Sequence, residues 1–329
     1  MARVSAGARL HFGFQNLALA HERLYGSLGV ALDSPRVVVT ADPAETVRCD
    51  HETARGHARR AVELLDVPGA DVTVERTLPR HVGLGSGTQL ALAVLAAVAR
   101  AYDRDPRVRQ RAPKLGRGGR SGVGVATFES GGFVFDAGHP TERFTTDRPP
   151  RGEWSVPEVV ARHEVPDDWR FVVVLPDADP GRSGDDEDAS MRSVVERADP
   201  AIGDEIAGVV TRRVLPAVAA GDAEAFGAAV AEVGRLNGAW YADEQGGVYR
   251  PPVGELVSEL GDSAAVAGAG QSSWGPAVYA VTRERSAAAA RDAAREALSA
   301  VGVGGEVSVA EPRNRGVRIE ESDGAVLSE

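Results

Sequence analysis

The stretch LPRHVGLGSGTQLALAVLAAVARAY (Leu78–Tyr102) joins a glycine-rich loop to a long apolar segment. Just before it, ADVTVE (Ala70–Glu75) alternates apolar and polar residues, a pattern that predicts a strand. After the loop, leucines and valines among alanines leave no polar face, which predicts a buried helix. The sequence therefore predicts a strand, a loop and a helix in direct succession.

The loop has glycine at Gly83, Gly85 and Gly87, where a missing Cβ atom permits a sharp turn. Ser86 or Thr88 is then the expected cap of the helix. An exposed helix N-terminus carries unpaired N–H groups and a partial positive charge, which suit an anion. The alternative is a plain connection, but so many glycines favour phosphate binding. The predicted phosphate-binding residues are Gly83, Leu84, Gly85, Ser86, Gly87, Thr88 and Gln89.

The order of Pro79, Gly83, Leu84, Gly85 and Ser86 resembles the second motif of the GHMP small-molecule kinases. Within that superfamily, nearly the whole chain is more similar to the β-ribofuranosylaminobenzene 5′-phosphate synthases, archaeal enzymes of methanopterin biosynthesis. The runs that carry this closer resemblance include RLHFG (Arg9–Gly13), GRGGRSGVGVATFESGGFVFDAGH (Gly116–His139) and QSSWG (Gln271–Gly275).

The resemblance implies an α+β fold of two domains. Residues 1–150 would form a phosphate-binding domain like domain 2 of ribosomal protein S5, and residues 151–329 a ferredoxin-like domain. The proline-rich, charged stretch Thr141–Pro166 contains the expected boundary. The implied activity joins phosphoribosyl pyrophosphate to 4-aminobenzoate or 4-hydroxybenzoate, giving a C-riboside 5′-phosphate, carbon dioxide and pyrophosphate.

The totals restrict the class of protein. The chain has 329 residues and a net charge of -11, which argues against a general nucleic-acid binder. Cys49 is the one cysteine, so an intrachain disulfide and a cysteine-based zinc site are excluded. We find no long apolar run and no leader pattern, and we expect a cytoplasmic protein without a membrane span. The sequence leaves homodimerisation open.

Periodicity and turn residues predict the remaining elements. We expect a strand at Ala2–Ala8 followed by a turn at Arg9–Gly13. We also expect hairpins that pair Tyr25–Leu32 with Arg36–Ala41 and Val123–Phe128 with Gly132–Asp136. The predicted helices are Glu52–Leu65, Pro200–Val218, Ala223–Asn237, Pro252–Leu260 and Ser286–Ala300. The other predicted strands are Trp169–Leu175, Ala277–Thr282 and Gly305–Ala310, with a loop at Tyr241–Tyr249.

A cationic run, Arg104–Arg120, stands out in an otherwise acidic chain. Such a run is often only a solvated face. Arginine forks next to glycines also match phosphate oxygens, and the candidate contact residues are Arg117, Gly118, Gly119, Arg120, Ser121 and Gly122.

Two positions depart from the kinases that the loop resembles. Their catalytic aspartate follows a Ser-Gly-hydrophobic sequence, whereas here Ser121–Val123 is followed by Gly124. Their second loop serine helps to hold magnesium, whereas here Ser86 is followed by Gly87. Phosphate binding is therefore expected without kinase chemistry.

An acidic run after the strand Trp169–Leu175 is either a solvated loop or a magnesium site. The resemblance favours Mg²⁺ as the cofactor, held by Asp185, Asp186 and Glu187.

The acceptor site is predicted from the clustering of family motifs. We assign catalytic roles to His11, Arg9 and Ser273, although a lone histidine is commonly a bystander and Trp274 could be a core residue. The predicted substrate-binding residues are Gln271, Ser272, Trp274 and Gly275. Two rival interpretations are an ATP-dependent kinase of the GHMP group and a non-catalytic ligand-binding relative.

Overall fold

The computed structural model describes residues 1–142, 149–179, 185–321 and 326–328, and of 185–187, 321 and 326–328 it describes the backbone only. The strands are β1 (Ala2–Asn16), β2 (Arg23–Pro43), β3 (Val47–Arg48), β4 (Ala70–Arg76), β5 (Phe133–Asp136), β6 (His139–Pro140), β7 (Val159–His163), β8 (Trp169–Pro176), β9 (Gly268–Gln271), β10 (Val278–Arg283), β11 (Gly305–Ala310), β12 (Arg318–Glu321) and β13 (Val326–Ser328). The α-helices are α1 (Glu52–Leu65), α2 (Ser86–Ala101), α3 (Val108–Arg111), α4 (Val123–Ser130), α5 (Asp185–Arg197), α6 (Pro200–Val209), α7 (Leu215–Ala220), α8 (Ala223–Gln245), α9 (Val253–Gly261) and α10 (Ala287–Val301). The mixture of helix and sheet confirms the α+β prediction.

The first sheet has the order β13-β12-β1-β2-β4-β3, with β5 and β6 paired to β2 and β7 paired to β5. Helix α2 packs across β1 and β2, and its residues from Gln89 to Ala99 are buried. This confirms the buried helix that follows the glycine loop. Because α2 packs on β1 and β2, its N-terminus, where the glycine loop ends, is held in a fixed position against the sheet.

The predicted turn at Arg9–Gly13 is wrong, because these residues continue β1. Two register shifts between β1 and β2, at Gly7/Arg9 and at His11/Gly13, absorb the irregular residues as bulges. The hairpin predicted for Tyr25–Leu32 and Arg36–Ala41 is also wrong. Both segments pair with β1 instead of with each other, so they form one long strand.

The strand predicted at Val123–Phe128 is the helix α4. All six residues are buried, and a short apolar run that is buried on every side does not distinguish strand from helix. The loop predicted from Tyr241 is helical as far as Gln245, the last residue of α8. The Ala223 end of α8 was predicted correctly, with Asp222 capping the N–H of Ala225.

The second sheet is antiparallel and has the order β11-β8-β10-β9. Numbered by position in the chain, these strands stand in the order 4-1-3-2, which is the ferredoxin-like arrangement that we expected. Strand β9 was not predicted, because its sequence GAGQ has almost no side chains to form a pattern.

Strands from beyond residue 150 also join the first sheet. Strand β7 pairs with β5, and β12 pairs with β1 in antiparallel fashion. The two sheets share one apolar core, in which the ring of Phe226 on α8 lies 5.7 Å from Phe12, 5.6 Å from Phe133 and 4.9 Å from Trp169. The division at residue 150 stays a prediction, and the packing holds both sheets at fixed positions around the site described next.

Candidate active site

The glycine loop enters α2 through residues that adopt the left-handed conformation. Gly83 has φ 98° and Gly85 has φ 79°, values that residues other than glycine rarely adopt. The cap residue of α2 is Gly85, with no side-chain cap, so the predicted capping by Ser86 or Thr88 is wrong. The Gly85 carbonyl instead accepts the N–H groups of Thr88 and Gln89, at 3.0 Å each. The turn thus needs no side-chain cap.

Arg9 of β1 is bonded to this loop twice. Its backbone N–H donates to the carbonyl of Leu84 at 3.2 Å, and its Nη1 donates to the carbonyl of Gly83 at 2.6 Å. The bulge that disrupted our strand prediction therefore directs Arg9 along the loop.

The segment after β9 completes the arrangement. The hydroxyl of Ser272 accepts the backbone N–H of His11 at 3.1 Å and donates to the carbonyl of Gly83 at 2.7 Å. The N–H of Ser273 donates to the carbonyl of His11 at 3.2 Å. Three segments that are distant in sequence, 9–11, 83–88 and 271–275, are thereby brought into direct contact.

A cavity of about 530 Å³ lies in front of the loop. It is lined by residues that include Gly83, Gly85, Ser86, Gly87, Thr88 and Gly275 from the prediction, together with Arg9, Arg80, His81 and Arg117. Leu84 and Gln89, also predicted to bind phosphate, are buried behind the loop, where the Gln89 amide donates to the carbonyl of Gly124 at 2.9 Å. Their contribution is to hold the loop and the helix in place.

A second cavity, of about 360 Å³, adjoins the first and is strongly cationic. Arginines from four regions line it, namely Arg9, Arg60, Arg117, Arg120 and Arg151. Arg60 and Arg151 were not predicted from the sequence. Arg60 lies on the polar face of α1 and Arg151 in a proline-rich stretch, and neither position carries a local signal.

Arg117 lines both cavities. Its Nη1 would lie 3.1 Å from a Cβ atom built at Gly87, and the indole N–H of Trp154 donates to its carbonyl at 3.0 Å. The Arg117 guanidinium group therefore lies next to Gly87, the position where the related kinases carry their second loop serine.

Gly124 also explains the departure from the kinases. A Cβ atom there would lie 3.1 Å from Cγ2 of Thr88, which is closer than most such contacts. The glycine lets α4 approach the first turn of α2. A residue with a Cβ atom at this position would require the Thr88 side chain to shift by a few tenths of an ångström.

Of the predicted residues Arg120, Ser121 and Gly122, the first two line the second cavity, whereas Gly122 does not. The N–H of Gly122 donates to Oδ2 of Asp136 at 2.9 Å. Burial raises the pKa of Asp136 to about 6, although N–H donation from Gly138 and Gly122 opposes that shift. Asp136 is fully buried and faces the backbone, so we assign it the role of positioning the loop.

The predicted magnesium ligands Asp185, Asp186 and Glu187 open α5, and their side chains lie outside the described residues. The next residue, Asp188, is paired with Arg120 at 2.5 Å and lines the second cavity. No group of three or more His, Cys, Asp or Glu residues suited to a metal occurs in the part of the chain that the structure describes.

A third, small cavity of about 40 Å³ lies behind Trp274. Among its lining residues are His11, Gln271, Ser273 and Trp274, and the indole of Trp274 lies 4.4 Å from the ring of Tyr241. Burial, and then the charge of Arg9, lowers the pKa of His11 to about 3, so its imidazole is neutral at physiological pH. Ser273 and Trp274 line all three cavities, which therefore meet at this pair.

Comparison with known proteins defines the class to which this fold and site belong. The model of the GHMP kinase N-terminal domain matches residues 52–132, and that of the GHMP kinase C-terminal domain matches residues 214–300. The solved structure of mevalonate kinase from Methanococcus jannaschii is 13% identical, with a TM-score of 0.66 over 95% of this chain and 98% of that one. The fold is thus that of the GHMP kinases, as we expected.

Sequence relatives narrow the class. A β-ribofuranosylphenol 5′-phosphate synthase of Methanothermobacter thermautotrophicus is 33% identical over 86% of this chain and 89% of its own length. A protein of the same name from Archaeoglobus fulgidus is 32% identical over 97% of this chain and 100% of its own length. The chain belongs to the β-ribofuranosylphenol 5′-phosphate synthase family, within the GHMP kinase superfamily. Across the described residues, every helix is too short or too polar to cross a membrane.

Gly83→Ala tests whether the close contact of the three segments forms the site. An added Cβ atom would lie 2.1 Å from the carbonyl oxygen of Ser272 and would occupy a positive φ. We expect at least about tenfold weaker binding of phosphoribosyl pyrophosphate and a loss of about 1–3 kcal/mol in the free energy of unfolding. Calorimetry and urea denaturation measure the two effects.

The matched control is Gly56→Ala in α1, where an added Cβ atom has no neighbour within 4 Å. Alanine in a helix should leave ligand binding unchanged and raise the free energy of unfolding by about 0.5–1 kcal/mol. Equal ligand affinities for Gly83→Ala and Gly56→Ala would contradict the assignment.

His11→Gln tests the burial of a neutral imidazole. Because the folded pKa is about 3 and an unfolded histidine has a pKa near 6.5, the unfolded state binds more protons between these values. Stability is therefore lost as the pH falls below about 6.5, by roughly 2 kcal/mol at pH 5 for this residue. Between pH 7.5 and pH 5, the variant should lose roughly 2 kcal/mol less than the parent in urea denaturation. Parallel pH profiles would show that His11 is not buried as described.

Proposed function

We propose that the chain catalyses a decarboxylating phosphoribosyl transfer from phosphoribosyl pyrophosphate to a para-substituted benzoate. The observation that carries the proposal is the meeting of two cationic cavities and one small, largely apolar cavity at Ser273 and Trp274. A donor with two anionic ends and an aromatic acceptor would come together there. The names of the sequence relatives, which specify a ribofuranosylphenol 5′-phosphate, support the same reaction.

In the proposed reaction, the ring carbon that bears the carboxylate attacks C1 of the ribose. The new carbon–carbon bond forms with a pair of ring π electrons, and the bond from C1 to pyrophosphate breaks with its electron pair leaving on pyrophosphate. The bond to the carboxylate then breaks, its electron pair restores aromaticity, and CO₂ departs. No proton leaves the attacking carbon, so the chemistry is consistent with glycine at Gly124, where the related kinases have their base.

The two cationic cavities suit the two phosphorylated ends of the donor. Arg9, Arg117 and Thr88 line both cavities, so they would contact the ribose region between the ends. The first turn of α2 adds N–H donors and a partial positive charge, which would stabilise negative charge as it develops on the departing pyrophosphate. Removal of one such well-aimed donor typically slows a reaction by about 100-fold to 1000-fold.

Mg²⁺ remains part of the proposal as a companion of the donor. Magnesium in proteins is commonly held by one or two carboxylates and by substrate phosphates. Asp188 pairs with Arg120 and lines the second cavity, so this end of α5 lies at the cavity wall, and the sequence just before Asp188 is Asp-Asp-Glu, which supplies the appropriate type of oxygen donor. The ion would neutralise pyrophosphate charge, while the arginines bind and orient the donor.

We further propose 4-hydroxybenzoate as the acceptor, because the relatives' names specify a phenol product. 4-Aminobenzoate is the alternative acceptor. The pathway would be methanopterin biosynthesis, and the reaction would take place in the cytoplasm.

The direct test mixes the purified chain with Mg²⁺, phosphoribosyl pyrophosphate and either acid, at low and high salt. Release of CO₂ and pyrophosphate in equal amounts supports the proposal, and the two acids compared side by side identify the acceptor. Pyrophosphate without CO₂, or ADP formation from ATP with a small alcohol, contradicts it. If folded protein releases neither product, the interpretation as a non-catalytic relative is favoured.

Arg117→Ala tests the arginine that joins the two cationic cavities. A charge-assisted hydrogen bond contributes about 1.5–3 kcal/mol, so the KM for phosphoribosyl pyrophosphate should rise by about 10-fold to 100-fold. The control is Arg104→Ala, which removes an exposed arginine of the same cationic run and should change KM by less than about twofold. Equal KM values for the two variants would exclude Arg117 from the donor site.

A further inference from the structure

One residue that lines the small cavity behind Trp274 has a buried polar atom for which the described residues provide no partner. Gln271 is 9% exposed, and its Nε2 donates to the carbonyl of Ser273 at 3.0 Å. Because a carbonyl can only accept, this bond fixes the amide orientation and leaves Oε1 as the other end. Oε1 is buried and has no hydrogen-bond partner among the described residues. An unsatisfied buried acceptor costs about 1–3 kcal/mol, so a ligand that donates to it would gain affinity.

A second residue that lines the same cavity also has a buried polar atom without a partner in the described part of the chain. His11 is 4% exposed, and its Nδ1 also has no partner within the described part of the chain. A neutral imidazole carries one N–H donor and one acceptor, and either ring nitrogen can take either role. His11 can therefore offer Nδ1 as a donor or as an acceptor, whichever a ligand requires.

The size of the cavity limits what can enter. Its volume of about 40 Å³ is close to that of one or two water molecules, and a benzene ring needs a cavity of about 150 Å³. The cavity thus has room for a small polar substituent, with the ring outside it against Trp274. In that pose the carbon opposite the substituent points back to the junction of the three cavities.

We propose that Gln271 Oε1 and His11 Nδ1 bind the para substituent of the acceptor, and that Gln271 selects acids whose substituent can donate a hydrogen bond. This inference rests on the proposed function and extends it to the feature that the small cavity recognises. A phenol would donate to Gln271 and accept from Nδ1 of the neutral imidazole when that nitrogen carries the proton. An aniline would donate to Gln271 and to an unprotonated Nδ1. A substituent without a donor would leave Gln271 Oε1 unsatisfied.

The test measures binding of 4-hydroxybenzoate and 4-fluorobenzoate by calorimetry in the presence of pyrophosphate. Fluorine is small enough for the cavity but donates no hydrogen bond. The parent should bind the hydroxy acid at least about tenfold more tightly than the fluoro acid. Gln271→Leu keeps the apolar volume and removes the acceptor, so this ratio should fall to about twofold or less.

The matched control is Gln245→Leu, because Gln245 lines the same cavity but its Nε2 donates to the carbonyl of Val248 at 2.7 Å, and its amide is not among the buried groups without a partner. This variant should keep the parent's ratio. If Gln271→Leu keeps the ratio, or if both variants lose it equally, the assignment of Gln271 is wrong.

The binding measurement separates this inference from the proposed function. A parent that releases CO₂ and pyrophosphate while Gln271→Leu still discriminates between the acids overturns the inference and leaves the reaction intact. A parent that binds with the expected ratio but releases neither product supports the binding site and contradicts the reaction.

Discussion

The carbonyl oxygen of Gly83 accepts two hydrogen bonds, one from Arg9 Nη1 at 2.6 Å and one from Ser272 Oγ at 2.7 Å. These bonds join a strand of the first sheet, the glycine loop and the end of a strand of the second sheet. The approach is so close that a Cβ atom at Gly83 would overlap the backbone of Ser272. The three cavities meet at Ser273 and Trp274, the two residues that follow Ser272, so the shape of the candidate site depends on the close approach that glycine permits at Gly83.

The same loop supports a different chemistry from that of the kinases with this fold. A helix N-terminus binds anions whatever reaction follows, and it is retained here. Gly124 lets α4 approach Thr88 where the resemblance would place a catalytic base, and the Arg117 guanidinium lies beside Gly87. Both changes suit a reaction that expels pyrophosphate from a donor with two charged ends and removes no proton from its acceptor.

The sequence predicted those parts that local patterns encode. The strand before the glycine loop, the buried α2 and the strand of Trp169 appear as expected, because each has a clear period or an unbroken apolar run. The strand at Ala2–Ala8 was predicted correctly, but its continuation through Arg9–Gly13 and the helix α4 were misassigned, since bulges resemble turns and a fully buried helix resembles a strand. The motif residues His11, Gln271 and Trp274 were found by resemblance. Arg60 and Arg151 were missed because only the tertiary fold brings them to the cavity.

The most direct measurement is a crystal structure of the protein with pyrophosphate and 4-hydroxybenzoate, two ligands that cannot react with each other. We expect pyrophosphate against the first turn of α2 or the arginines of the second cavity. We expect the benzoate ring against Trp274, with its hydroxyl within hydrogen-bond distance of Gln271 Oε1 and its carboxylate carbon at the junction. A benzoate bound with its carboxylate inside the small cavity, or bound away from Ser273 and Trp274, would contradict the account.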